Sequence, residues 1–304
     1  MEIKKAALVG FGAIGCVYAK NLIKSIGDNF VVIAGGSRAD RIRSKGVIVN
    51  GEEVKPKVVE PESTDYKADL VIFTVKNYHL AQALKDVENV VTENTIFLTV
   101  LNGVTARDEI KAAYPNNTVL YGIGMGIDAV RSDEGIKCRC EGTIQFGEAD
   151  NTTMSPEVKA VKDLFDAAGI GNEVFPDMIR TIWNKFMINV STNQLSAITG
   201  AGYGHFLTVP ELNDAMHQVM TEVITLANKK GINLTEDDAY AYEKKLATFD
   251  PVGKTSMLQD VEAKRHTEVD YFAGTVIKFG KEAGVPTPWN DRIYLLIKTI
   301  EGLY

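Results

Sequence analysis

The first part of the chain alternates short apolar runs with amphipathic helical stretches. Such runs are typical of strands buried on both faces of a parallel sheet. Four of them are residues 6–9, 30–34, 70–75 and 95–101. A further stretch, residues 47–59, contains Asn50-Gly51 between β-rich segments and predicts a hairpin. The alternation stops near Pro176. The pattern therefore predicts an α/β fold with a parallel-sheet domain at residues 1–176 and an all-helical domain at residues 177–304.

The second domain contains a helical stretch that is apolar on most sides, so we expect this helix to be buried. Three polar residues within it, Lys185, Asn189 and Asn193, are spaced four apart and should share one stripe. A buried ammonium and two amides are costly unless they have partners. The stripe therefore faces either a ligand or a satisfied polar seam between helices. The predicted helices are residues 182–199, 210–230, 236–247, 256–283 and 289–302.

A glycine loop follows the first strand. Gly10, Gly12 and Gly15 form G-x-G-x-x-G between an apolar run and a helix, which is the context of a Rossmann dinucleotide-binding fingerprint. Gly10 would permit the tight turn, Gly12 the close approach of a pyrophosphate, and Gly15 the packing of helix on strand. The helix N-terminus would offer its N–H groups to the phosphates. The alternative is a glycine-rich turn without a ligand.

The end of the second strand predicts which nucleotide binds. NAD enzymes normally present an acidic residue there to the ribose 2′-hydroxyl. This chain has Gly35, Ser37 and Arg38 instead, with Arg41 close by and no acid before Asp40. We therefore expect NADP(H) rather than NAD(H), with Ser37 and Arg38 at the 2′-phosphate. The two arginines could also be solvated charges that open a helix.

Two polar residues follow the next two strands. Lys76 comes after the third run and Asn102 after the fourth, at the carboxyl edge where open α/β sheets bind ligands. We expect both near the ligand, although Lys76 could be a solvated turn residue and Asn102 a helix cap.

The segment from Ser256 to Asp270 also admits two interpretations. Ser256 and Gln259 have the spacing of a helix capping box. Glu268 falls on an i,i+4 series with Asp260 and Lys264, which would be a solvated helix face. Glu268 could instead reach the Lys185 stripe and compensate its charge.

Composition excludes several classes of function. With 33 basic and 40 acidic residues the net charge is -7, which disfavours binding to nucleic acid or to an anionic membrane. The sequence has no apolar run of membrane-spanning length and no signal-peptide pattern. Its three cysteines and four histidines show neither disulfide nor metal-ligand spacing. We expect a reduced, cytoplasmic protein without a metal.

The order of these motifs resembles that of the ketopantoate reductases (2-dehydropantoate 2-reductases) along essentially the whole chain. The motifs that carry the resemblance are the glycine loop, Val75-Lys76, Leu101-Asn102-Gly103, W-N-K-x-x-x-N-x-x-x-N at 183–193, S-M-L-Q-D at 256–260 and H-T-E-V-D-Y at 266–271. The resemblance implies a Rossmann-type domain followed by an all-helical domain, with the active site in the cleft between them. It also implies NADPH-dependent reduction of 2-dehydropantoate to (R)-pantoate, in pantothenate and coenzyme A biosynthesis. A homodimer is one assembly that the chain could form.

The resemblance also implies roles for individual residues. Lys185 matches the catalytic lysine and Glu268 the glutamate that supports it. Substrate contacts would come from Asn102, Asn189, Asn193 and Ser256. Cofactor contacts would come from Gly10, Gly12, Ala13, Ile14, Gly15, Ser37, Arg38, Lys76, Asn102 and Glu268. The chain departs from many members at Gly35, where they have an arginine.

The expected chemistry also follows from the residue types. Hydride transfer to a 2-keto carbon leaves an alkoxide, which needs a cation to stabilise and protonate it. A lysine kept charged by a neighbouring carboxylate can do both. The nearest alternative is a related reductase of another 2-keto acid. A protein that senses NADP(H) without turnover would need the glycine loop but not Lys185 and Glu268 together.

Overall fold

The computed structural model describes residues 1–304, and the chain divides into two compact units, Met1–Met178 and Ile179–Tyr304. The first unit is built on an eight-stranded sheet in the order β12-β11-β8-β7-β6-β1-β2-β5. From β8 to β5 all neighbouring strands are parallel, whereas β11 runs antiparallel to β8. The strands of this sheet are β1 (Ala6–Val9), β2 (Phe30–Ile33), β5 (Lys57–Val59), β6 (Leu70–Phe73), β7 (Ile96–Thr99), β8 (Val119–Met125), β11 (Thr143–Gly147) and β12 (Asn172–Glu173).

A second, four-stranded sheet in the order β4-β3-β10-β9 belongs to the same unit. Its strands are β3 (Val47–Val49), β4 (Glu52–Val54), β9 (Asp128–Ser132) and β10 (Gly135–Cys140). Asn50 and Gly51 form the predicted hairpin turn between β3 and β4, both with positive φ. The predicted hairpin was too long, however, because β5 leaves it and pairs with β2 in the large sheet.

The continuous apolar runs are explained by burial on both faces of the large sheet. Along β1, Ala6 and Leu8 belong to one hydrophobic cluster, while Ala7 and Val9 belong to another. All four residues of β1 are buried. The helices of this unit are α1 (Ala13–Ile26), α2 (Gly36–Lys45), α3 (Leu80–Asp86), α4 (Ala106–Ala113) and α5 (Pro156–Ala167).

The second unit is helical and contains no strand, as the loss of strand–helix alternation predicts. Its helices are α6 (Met178–Ile188), which begins one residue before the unit, α7 (Gln194–Thr199), α8 (His205–Thr208), α9 (Pro210–Lys229), α10 (Glu236–Leu246), α11 (Ser256–Glu262), α12 (Ala273–Ala283) and α13 (Pro288–Glu301). The α/β fold class with a helical C-terminal part is therefore confirmed. None of the helices combines the length and the apolar character needed to cross a bilayer.

The predicted single helix over residues 256–283 is wrong. The chain leaves α11 after Glu262 and enters α12 only at Ala273. Lys264 has a φ of 52°, in the left-handed region that ends helices. The side chain of Arg265 then turns back to Asp260, with Nε 2.9 Å from Oδ1. The break places Glu268 in an irregular segment rather than on a helix face.

Candidate functional site

The glycine loop has the tight geometry that its spacing predicts. Gly10 has a φ of 104°, and a Cβ there would lie 2.7 Å from the backbone of Thr74. At Gly15 a Cβ would collide with the Gly10 carbonyl oxygen, so α1 can pack on the loop only without a side chain. Thr74 Oγ1 donates a 2.6 Å hydrogen bond to that same carbonyl, which fixes the turn to the end of β6.

Gly12 differs from both of these glycines, because a Cβ there would have no neighbour within 4 Å. The open space lies at the start of α1, whose first turn has no side-chain cap and no acidic residue. Helix N-terminal N–H groups without a cap favour an anion. The residues present thus fit a phosphate group held against the backbone at Gly12, Ala13 and Ile14.

Ser37 and Arg38 lie in the first turn of α2, directly beyond β2, and both are exposed. Gly35 is the N-cap residue of α2 and supplies no side-chain cap. His79, which the sequence analysis did not single out, lies within electrostatic reach of Arg38. Burial lowers the pKa of His79, and the charge of Arg38 lowers it further. Both effects favour the neutral imidazole, so the positive charge in the first turn of α2 is that of Arg38.

The ends of β6 and β7 are joined by a side chain. The buried Asn77 donates from Nδ2 to the Asn102 carbonyl oxygen at 2.9 Å. Lys76, one residue earlier, is half-buried. Asn102 does not cap a helix, because α4 begins four residues later with Thr105 as its N-cap. The two loops that follow the central strands thus form one connected edge.

In the second unit, Lys185 lies near the end of α6 and is half-buried. Burial lowers the pKa of its ammonium from the ordinary 10.5 to about 8, and the Glu268 carboxylate opposes that lowering. Glu268 itself is 4% exposed. The structure therefore brings these two groups within electrostatic reach, although 82 intervening residues separate them in sequence.

The polar stripe does not continue as an α-helix. Residues Asn189–Asn193 form a π-helical turn between α6 and α7, so the predicted uniform helix over residues 182–199 is wrong in this detail. Two side chains bond backbone carbonyls around the turn: Ser191 Oγ donates to the Met187 carbonyl at 2.9 Å, and Gln194 Nε2 to that of Val190 at 2.6 Å. Such π turns are frequent at functional sites.

Ser256 does not cap α11. The N-cap is Thr255, whose hydroxyl accepts the Leu258 N–H at 3.2 Å. The Ser256 hydroxyl is therefore available for another contact, and it accepts a 3.3 Å hydrogen bond from Nδ2 of the buried Asn193. The solvated-face interpretation of Asp260, Lys264 and Glu268 is also wrong, because the first and last are buried and the middle residue ends the helix.

The family model described as "Ketopantoate reductase PanE/ApbA" matches residues 6–151, and the model described as "Ketopantoate reductase PanE/ApbA C terminal" matches residues 177–301. The chain belongs to the ketopantoate reductase family. Membership makes it an oxidoreductase.

Individual relatives are distant but match over their full length. A 2-dehydropantoate 2-reductase of Archaeoglobus fulgidus is 27% identical over 302 residues, which cover 99% of each chain. The solved 2-dehydropantoate 2-reductase of Methylococcus capsulatus is 25% identical with a TM-score of 0.84, covering 98% of this chain and 96% of the other. A D-mandelate dehydrogenase solved with NADH and anilino(oxo)acetate has a TM-score of 0.88 over 98% of both chains. At 24% identity, that last likeness shows the fold alone.

Two groups near these sites in this family member have no signal in the sequence. Arg131 Nη1, on β9, donates to the Phe11 carbonyl oxygen at 2.9 Å, inside the glycine loop. Glu301 Oε1, in the last turn of α13, accepts both the N–H and the hydroxyl of Thr267 at 2.7 Å. Glu301 therefore holds Thr267, the residue that precedes Glu268. Both contacts join residues far apart in sequence, which neither periodicity nor motif spacing can predict.

Proposed function

We propose that this ketopantoate reductase family member reduces 2-dehydropantoate to (R)-pantoate with NADPH, as a cytoplasmic enzyme of pantothenate and coenzyme A biosynthesis. Residues 1–176 would bind the dinucleotide, and residues 177–304 would supply the catalytic and substrate-binding side chains. The observation that carries the proposal is the ammonium of the half-buried Lys185, which lies within electrostatic reach of the buried Glu268 carboxylate.

A buried ammonium of this kind is poorly explained by stability. Burial outweighs the attraction of Glu268, so the charged lysine is held in an unfavourable environment. Groups with strongly perturbed pKa values cluster at catalytic sites, because proton transfer is efficient when the pKa lies near the working pH. A pKa of about 8 suits a group that must be protonated at neutral pH and yet release its proton readily.

The proposed reaction uses Lys185 as general acid. When bound, the reduced nicotinamide supplies a hydride to the 2-keto carbon. The Lys185 ammonium stabilises the alkoxide that develops on the keto oxygen and then donates a proton to it. The Glu268 carboxylate raises the pKa of the lysine and so maintains its protonated fraction.

The remaining residues of the stripe would orient the substrate. Asn189 and Asn193 would bind the hydroxyl group of 2-dehydropantoate, and Ser256 its carboxylate. Their support is the Asn193–Ser256 hydrogen bond, which holds an amide beside an exposed hydroxyl. Three polar groups held on neighbouring helices restrict how a keto acid can lie, as efficient transfer requires.

The preference for NADPH rests on the first turn of α2. Arg38 is exposed and within reach of His79, while no acidic residue stands where NAD enzymes normally carry one. Ser37 and Arg38 would then take the role of the arginine that many members carry at the position of Gly35. Lys76, Asn102 and Glu268 complete the proposed cofactor contacts. Arg38→Ala should weaken NADPH binding while leaving NADH binding nearly unchanged, and equal affinities in the unmodified enzyme would contradict the preference.

A substrate screen tests the proposal directly. The loss of nicotinamide absorbance is followed with 2-dehydropantoate and with other 2-keto acids, each with NADPH and with NADH. Lys185→Ala should lose most of the turnover and retain NADPH binding, whereas the matched change at an exposed lysine, Lys244→Ala, should change neither. Turnover of a different 2-keto acid, without turnover of 2-dehydropantoate, would show that the proposed substrate is wrong. NADPH binding without turnover of any keto acid would indicate a sensor instead.

A further inference from the structure

The β9–β10 hairpin places one arginine at the glycine loop. Strand β9 packs against α1, and Arg131 on β9 donates from Nη1 to the Phe11 carbonyl oxygen at 2.9 Å. Phe11 is the residue between Gly10 and Gly12. The guanidinium is thereby fixed to the glycine loop, at the residue before Gly12.

The charge of Arg131 has no carboxylate partner at ion-pair distance. Other arginines of this unit do have one: Arg43 Nη1 contacts Glu60 at 2.6 Å, and Arg139 on the same hairpin lies 3.8 Å from Asp128. Arg131 is exposed, yet its charge reaches the first turns of α1. Burial raises the pKa of the Cys16 thiol to about 12, and the guanidinium of Arg131 opposes part of that rise.

We propose that Arg131 binds the pyrophosphate of the dinucleotide, a role that rests on the proposed function. A pyrophosphate carries two negative charges, and the uncapped N-terminus of α1 offers N–H groups and only about half a positive charge. A guanidinium adds a full charge and donors in a planar fork that matches phosphate oxygens. Because the pyrophosphate is common to both nucleotides, Arg131 supports the affinity for NADPH and for NADH equally.

The competing role for Arg131 is that of a tether that holds the hairpin on the loop. The two roles require different properties of the side chain. A tether needs only a donor to the Phe11 carbonyl, which glutamine and lysine both retain, whereas pyrophosphate binding needs the charge, which lysine retains and glutamine lacks. Arg131→Gln and Arg131→Lys therefore separate the roles, with Arg139→Gln as the matched control on the same hairpin.

The experiment is a fluorescence titration of each variant with NADPH and with NADH, without substrate. Arg131→Gln should raise both dissociation constants by about tenfold. This factor corresponds to the lower end of the range that a hydrogen bond to a charged group contributes. The ratio between the two nucleotides should stay constant. Arg131→Lys should retain most of the affinity, Arg139→Gln should match the unmodified protein, and all melting temperatures should agree.

Three results would overturn the assignment. Unchanged affinities in Arg131→Gln would leave only the tether, and an equal loss in Arg131→Lys would show that the positive charge does not carry the nucleotide affinity. A loss of affinity for NADPH alone would assign the Arg131 side chain to the 2′-phosphate instead. Arg38→Ala provides the reference for such a selective loss. An unmodified protein that binds neither nucleotide would overturn the proposed function itself, and that result is distinct from the other three.

Discussion

Replacing Lys185 by methionine should inactivate the enzyme and at the same time stabilise it. Burial lowers the pKa of the ammonium from 10.5 to about 8, and this net value already includes the attraction of Glu268. The difference corresponds to about 3 kcal/mol by which folding disfavours the charged form. Methionine has a similar volume and no charge, so Lys185→Met should recover about 1–3 kcal/mol at pH 7.

The pH dependence of this effect has a definite sign. Below pH 8 the lysine is protonated in both the folded and the unfolded chain. The folded protein therefore bears the full free-energy cost of holding the charged lysine. Between pH 8 and pH 10.5 the folded protein releases the proton while the unfolded chain keeps it. The stability of the unmodified enzyme should therefore rise through that interval, and the advantage of the variant should shrink.

The assay combines unfolding with turnover. Urea or thermal unfolding at pH 7 and at pH 10 gives the stability difference, and a gain of 1 kcal/mol corresponds to roughly 2–4 °C in melting temperature for a protein of this size class. Turnover of Lys185→Met should fall by at least about a hundredfold, as expected when a general acid is lost. Lys244→Met, at an exposed position, is the control for both measurements.

The opposite sign would refute the reasoning. If Lys185 were one half of a stabilising buried ion pair, its removal would destabilise the protein by about 3–5 kcal/mol. A variant that is less stable by that amount at pH 7, or one that retains near-full turnover, would make the lysine a structural residue and remove it from the mechanism.

Two further predictions follow from the same geometry. The turnover number should fall as the pH rises through about 8, because Lys185 loses its proton. Glu268→Gln should move that fall to lower pH, because the carboxylate raises the lysine pKa. A flat pH profile of turnover up to pH 10 would contradict this prediction. Gly12→Ala should melt like the unmodified protein but lose NADPH affinity, since its Cβ enters only the open space, whereas Gly15→Ala should lower the melting temperature because its Cβ meets the Gly10 carbonyl. Melting curves and nucleotide titrations on the two alanine variants check the second prediction, and full affinity in Gly12→Ala would oppose it.

The sequence by itself determined the elements whose signals are local. Apolar runs such as 6–9 and 70–75 correspond to central strands of the sheet, because burial on both faces requires apolar residues at every position. Asn50-Gly51 forms the predicted turn between β3 and β4. The glycine loop was equally readable, since the positive φ of Gly10 and the close contact at Gly15 exclude side chains.

Local signals were insufficient where neighbouring residues could fill the same role. Thr255 and Ser256 both suit a helix cap, and the backbone selected Thr255, which left the Ser256 hydroxyl for Asn193. The helix predicted over residues 256–283 contains no proline, yet it breaks at Lys264, where the Asp260–Arg265 ion pair forms. Propensities of isolated residues are weak and are readily overridden by such contacts, so they could not decide these cases.

Only the tertiary structure decided which distant groups meet. The approach of Glu268 to Lys185, the reach of Arg131 to Phe11 and the anchoring of Thr267 by Glu301 each join separate elements. The i,i+4 spacing of Lys185, Asn189 and Asn193 was visible in the sequence, but the π turn that interrupts their helix was not. Periodicity records which side of an element is polar, whereas the partner of that side is set by how the elements pack.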